Sequence, residues 1–214
     1  MNPELPKIDS KSDQPMPHIV LASASPRRRA MLEAVGVEHR VAPAQVDDGE
    51  LVPGQRVNAR EWVAALAFLK ASSSVRTIQD KAIGAQIVVI GADTVCVHDG
   101  EIIGQPEDRE DAKQIIDMMS DATHEVLTGV ALLDACGMRR DLFVDQSIVT
   151  VGVISDEQIE AYLDSEQWRG KAGAYNITER LAAGWPIEFT GDETSIVGLP
   201  MTRTLERVSR FFVD

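Results

Sequence analysis

Arg27, Arg28 and Arg29 stand side by side in "IVLASASPRRRAML", residues 19–32, within a 214-residue chain whose formal net charge is -13. A guanidinium is a permanently charged, forked donor that matches the oxygens of a phosphate. The preceding turn, "SASP", offers the hydroxyls of Ser23 and Ser25. It also opens a helix, and a helix N-terminus presents unpaired N–H groups and the positive end of a dipole to an anion. Neighbouring helical positions point about 100° apart, so the three arginines do not all serve one pocket. Arg27 and Arg28 are the candidates for anion binding; the plain alternative is three arginines solvating a helix face.

Other residues could work with them. In "IGADTV", Asp93 follows a strongly apolar strand, as either a turn cap or a functional carboxylate at the sheet edge. The loop pair Asp47 and Asp48 could join it around a hard divalent cation such as Mg²⁺. Lys70 ends an apolar helix turn, where a lysine also complements the helix dipole. Lys171, in "GKAGAY", sits among small residues where backbone approaches a ligand closely. His124 is read as ordering a turn or strand end, and Cys96 and Cys136 as packing residues. Neither G-x-x-x-x-G-K-[ST], nor G-x-G-x-x-G after a strand, nor a zinc signature is present. Arginines, lysines, carboxylates and hydroxyls together suit metal-assisted phosphoryl or nucleotidyl transfer, which rests on positioning and charge neutralisation.

The elements that must hold these groups follow from periodicity and caps. A strand is expected at 18–23, then a helix at 26–35 with Ser25 as N-cap and Pro26 at its first position. A short strand at 38–43 precedes the loop "VDDGELVPGQ" and a helix ending near Ser72. "QIVVIGADTVCVHDG" reads as a buried strand that breaks at Gly91 and Asp93 and then resumes. A helix with an acidic first turn follows at "EDREDAKQIIDMMS", then strands at 124–134 and 141–153. Ser155 caps a helix to residue 164, and the last third is a glycine-rich loop, strand pieces and a closing helix from Pro200. Strands and helices mix without a regular βαβ repeat, so a doubly wound sheet is not required.

Composition narrows the class. At 44% hydrophobic and 26% charged residues the chain can build an ordinary globular core. Residues 1–16 are polar and proline-containing, expected to be disordered and lacking the apolar core of a secretory signal, and 17–214 read as one domain. No run approaches the roughly 18 apolar residues of a membrane span, and two cysteines make no disulfide framework. The acidic balance disfavours nucleic acid, though not a small anion in a locally positive pocket. A cytoplasmic protein is the expectation.

In order along the chain, "LASASPRRRAML", "GADTV", "GQP", "SDATHEVLTGVAL", "GKAGAY" and "VGLP" resemble the signature blocks of the Maf family of nucleoside triphosphate pyrophosphatases. The resemblance implies hydrolysis of a nucleoside triphosphate to the monophosphate and pyrophosphate with Mg²⁺ or Mn²⁺. It also implies an α/β fold, a mixed sheet with flanking helices and two lobes around a nucleotide cleft, often dimeric. By the same resemblance Ser23, Arg27 and Arg28 contact phosphate, Asp93 accepts a proton or binds metal, Lys70 shares its site, and Lys171 matches the lysine of the "KAGAY" block, expected to help hold the triphosphate. Thr94 resembles the specificity residue of members acting on dTTP and UTP. Three positions depart from the family pattern: Asp48 where a glutamate is usual, Gln105 where a lysine is usual, and Thr178 at the place of a base-reading glutamine. Glutamine bonds a phosphate oxygen without neutralising its charge. Two other readings stay open: a nucleotide binder weakened in catalysis, and an interaction module using the arginines as a patch for an acidic partner.

Overall fold

The computed structural model describes residues 18–46, 51, 53–54, 57–78, 87–136 and 138–212. The expected disordered stretch 1–16 and the loop carboxylates Asp47 and Asp48 lie outside them. Among the described residues, seven strands form one mixed sheet in the order β2-β1-β3-β5-β6-β7, with β4 pairing to β3. The strands are β1 His18–Leu21, β2 His39–Val41, β3 Ile87–His98, β4 Glu101–Ile103, β5 Ala122–Asp134, β6 Arg140–Val151 and β7 Ile187–Thr190. The β1 strand is parallel to β2 and β3, and every other pairing is antiparallel. The expected α/β class with a mixed sheet is therefore what the chain adopts.

Helix α1, Pro26–Ala34, begins as its sequence demands: Pro26 leads, and the Ser25 hydroxyl accepts from the Arg28 N–H at 3.4 Å. Helix α2, Ala59–Thr77, opens with a capping box between Asn58 and Glu61. It runs beyond the end expected near Ser72. Ser73 and Ser74 are buried there, and Ser74 Oγ donates to Ala42 O at 2.6 Å while Ser73 Oγ accepts from Gln45 N at 3.1 Å. Hydroxyls that usually compete with a helix are instead occupied by the chain leaving β2.

The expected break in the third strand is absent, since β3 is continuous through Gly91 and Asp93. Gly91 serves close approach: a Cβ there would lie 2.3 Å from Ala67 O and 2.7 Å from Ala71 N on α2. Helix α2 thus covers one face of the sheet, over Val20, Val89, Ala131, Val95 and Leu127.

On the other face lie two separate hydrophobic clusters. One joins β1, α1 and the closing helix α7, Met201–Ser209, through Leu21, Leu32, Ile90, Leu199 and Val208. The second joins α3 (Arg109–Met119), α4 (Asp156–Asp164) and α5 (Ile177–Ala182) to the far ends of β5 and β6. These are two lobes on a shared sheet. The short helices α5 and α6 (Glu193–Val197) were not expected from the sequence; Asn176 and Asp192 cap them.

Candidate active site

The β1 strand pairs with β3 as far as Ile90, and β4 takes up the same edge from Cys96. Between them, Gly91 to Val95 have no strand neighbour on that side among the described residues. Asp93 and Thr94 sit in this gap, and alternation along the strand sends them to opposite faces. A cavity of about 470 Å³ opens there and takes in both, together with the N-terminus of α1 and the 171–177 segment.

On the α2 side, Lys70 Nζ donates to Asp93 Oδ1 at 2.6 Å, with side chains only 16% and 11% exposed. Lys70 stands between Ala67 and Ala71, the residues that press against Gly91, so helix–strand contact fixes the pair. On the other side, Arg28 is held from three directions. Its Nε donates to Gly198 O at 2.7 Å, Nη1 to Ser23 Oγ at 3.2 Å and Nη2 to Thr94 Oγ1 at 3.1 Å. Thr128 Oγ1 donates to Ser195 O at 2.8 Å, which uses its proton. The 2.8 Å contact between the two threonine hydroxyls is then donated by Thr94. Thr94 keeps one lone pair, and can only accept from a ligand.

Arg27 also lines the cavity, and its buried Nε has no hydrogen-bond partner among the described residues. A buried donor left so is costly unless something fills the space beside it. Gln105, just past β4, faces the same cavity. Gly104 O accepts from Gly173 N at 3.0 Å, which ties this loop to the "KAGAY" turn. Lys171 lines the cavity from that turn, and its ammonium is ion-paired with Glu179 of α5.

The opposite wall carries no formal charge. His124, 2% exposed, is the third residue of β5, close to the strand's start, and its Nε2 is 2.9 Å from the Tyr175 hydroxyl. Burial foremost, and nearby His98 to a lesser degree, pull the His124 imidazole down to about 4, so it is neutral near pH 7. Val126, Ile177, Ile196 and Val197 complete this wall. A neutral, partly aromatic surface of this kind accepts a flat ring. Cys96 also borders it, but burial pushes its thiol up to about 12, which denies it a reactive thiolate.

The structure therefore gathers Arg27, Arg28, Lys70, Asp93, Thr94, Gln105 and Lys171 around one cavity. Ser23 stands behind Arg28 and orients it rather than lining the space. Thr178 is exposed on α5 and is not among the lining residues. Asp48 lies outside the described residues. Sequence reasoning missed His124, Tyr175 and Glu179; the polar types in "GAYNITE" were the available signal. Among the described residues no group of three metal-ligating side chains forms, and no helix is long and apolar enough to cross a membrane.

Comparison with known proteins identifies the family. Residues 18–211 fit the family described as Maf-like protein. The dTTP/UTP pyrophosphatase of Symbiobacterium thermophilum is 37% identical over 196 residues, covering 92% of this chain and 95% of that one. Its namesake from Hahella chejuensis is 38% identical over 193 residues, covering 90% and 92%. The one from Bacillus cereus is 32% identical over 204 residues, covering 95% of each. Among solved structures, a HAM1 protein from Coxiella burnetii aligns with 91% of this chain and 99% of its own, at 14% identity and a TM-score of 0.47. The family match runs from β1 into the residues after α7, and the relatives are covered almost throughout their length: this chain belongs to the Maf family.

Proposed function

We propose that this chain is a nucleoside triphosphate pyrophosphatase that hydrolyses pyrimidine triphosphates, dTTP and UTP foremost, to the monophosphate and pyrophosphate. The observation that carries the reading is the Lys70–Asp93 pair set beside Arg27 and Arg28 in one cavity. Relatives that match nearly the whole chain bear the name dTTP/UTP pyrophosphatase. Arg27, with its unpartnered Nε, and Lys171 would grip the triphosphate, and Arg28 would hold its charge at a fixed place. Asp93 would orient a water and take its proton as the new O–P bond forms at the α-phosphorus. The bond to the bridging oxygen then breaks and pyrophosphate leaves, its charge met by the cationic groups.

Asp93 is the single carboxylate lining the cavity among the described residues. Mg²⁺ in triphosphate sites takes one or two carboxylates along with phosphate oxygens, so this donor set fits it, with Asp48 proposed as the second ligand. A bound Mg²⁺ or Mn²⁺ would supply charge neutralisation at the phosphates. The neutral wall of His124 and Tyr175 would receive the base. The acceptor-only hydroxyl of Thr94 suits the imide N–H of uracil or thymine, a donor that cytosine lacks at the same ring position.

Gln105 motivates a second reading, a site that binds nucleotide with little turnover. One experiment separates the two: pyrophosphate release across a panel of nucleoside triphosphates with Mg²⁺ or Mn²⁺, with Asp93→Asn alongside. Turnover of UTP and dTTP above CTP, abolished in Asp93→Asn, is expected. Full activity in Asp93→Asn would overturn the assignment, and saturable binding without turnover would favour the second reading.

A further inference from the structure

Lys171 is 8% exposed, and Glu179 is its one charged partner among the described residues. Both are placed by rigid local structure. Gly173, at φ 68°, turns the chain where a Cβ would lie only 3.2 Å from Cys96 Sγ of β3, and Ala174 N donates to Lys171 O at 3.0 Å. Asn176 caps α5 by accepting from Glu179 N at 3.1 Å. A glutamate at this position of a capped helix often reaches back to the cap's own N–H. Here the carboxylate turns outward to Lys171 instead, and its side chain stays 42% exposed. Lys171 thus lines the cavity while its ammonium is held by a half-solvated counter-ion that is not itself among the lining residues.

We propose that Glu179 is a built-in counter-ion that holds Lys171 until a highly charged phosphate chain takes its place. Its single negative charge occupies Lys171 until an anion of greater charge competes for it. A triphosphate draws the ammonium away and bears the cost of breaking the pair, whereas a monophosphate draws it less strongly and leaves more of the pair intact. The inference rests on the triphosphate reading of the site, but its test does not depend on turnover.

The experiment measures binding of inorganic tripolyphosphate and of inorganic phosphate by calorimetry, in the wild type and in Glu179→Gln. With Glu179 half in solvent, the pair should contribute no more than a few-fold in an equilibrium, so Glu179→Gln should bind tripolyphosphate about 3- to 5-fold more tightly. Inorganic phosphate, which leaves more of the pair intact, should gain by a smaller factor, which widens the ratio between the two anions. In a Lys171→Met background the effect of Glu179→Gln should disappear, which separates action through Lys171 from general repulsion by a carboxylate. Unchanged or weaker binding in Glu179→Gln, an unaltered ratio, or the same gain without Lys171 would each overturn the proposal. Absence of pyrophosphate release in the wild type would instead count against the enzyme reading, and leaves the binding test intact.

Discussion

A single methyl group added at Gly91 tests the coupling between the sheet and the Lys70–Asp93 pair. The Cβ of Gly91→Ala would stand 2.3 Å from Ala67 O and 2.7 Å from Ala71 N, both backbone atoms of α2. Comfortable non-bonded contact begins at about 3.5 Å, so α2 must retreat from β3 by roughly 1 Å. No side-chain rotation relieves it. Overpacking costs about 1–3 kcal/mol, and contact with backbone on a buried strand places this variant near the upper figure, about 3 kcal/mol. For a protein of this size that lowers Tm by about 6–12 °C. Lys70 rides on the same helix turn, 2.6 Å from Asp93, and would be carried away with it. A misplacement of about 1 Å in a catalytic group can cost on the order of 10²-fold in rate. Urea unfolding should show the stability loss, and pyrophosphate release at a temperature where the variant is still folded should show the rate loss. A variant with unaltered Tm and turnover would refute the idea that α2 and β3 hold Lys70 to Asp93 by direct backbone contact.

Two further outcomes are expected beyond those for Asp93 and Glu179. The His124 imidazole is held near 4 against an ordinary 6.5, so above pH 6.5 its neutral form carries no folding cost. As pH falls from about 6.5 towards 4, the unfolded chain takes the proton first and up to about 3 kcal/mol of stability is lost. Denaturation at pH 7.5 and 4.5 should show a smaller difference in His124→Gln than in the wild type; equal differences would refute it. Arg28→Lys should lower kcat/KM by about 10² or more, because an ammonium does not bond Gly198 O, Ser23 Oγ and Thr94 Oγ1 with fixed planar geometry. Activity within about 2-fold of wild type would show that the fork is dispensable.

Local chemistry made part of this legible in the sequence. Ser25 and Pro26 announce the start of α1, and the apolar run before Asp93 announces β3, because caps and burial act within a few residues. Arg27, Asp93 and Lys171 could be chosen by residue type and Lys70 by family resemblance, and they do meet in one cavity. What the sequence hid depends on contacts between distant segments. Gly91 reads as a strand breaker until α2 is seen pressed against it. Ser73 and Ser74 read as a helix stop until the chain around Ala42 and Gln45 takes their hydroxyls. His124 acquires its place at the cavity through Tyr175, and Thr94 acquires its acceptor-only character through Thr128 and Ser195. Thr178, chosen by position in a motif, faces solvent because helix phase turns Glu179 rather than Thr178 towards Lys171.

The two lobes share strands more than they adjoin one another. Val88, Ile90 and Ala92 of β3 belong to one hydrophobic cluster and Cys96 to the other; β5 divides the same way between Val130 and Val126, and β6 between Phe143 and Val149. Each long strand is thus a beam loaded at both ends. Loosening either lobe frays the strands on which the other is built, so the molecule should melt in one cooperative step rather than lobe by lobe. The same continuity limits how the cleft could close: both walls stand on one floor, so movement is confined to the helices, loops and side chains above it.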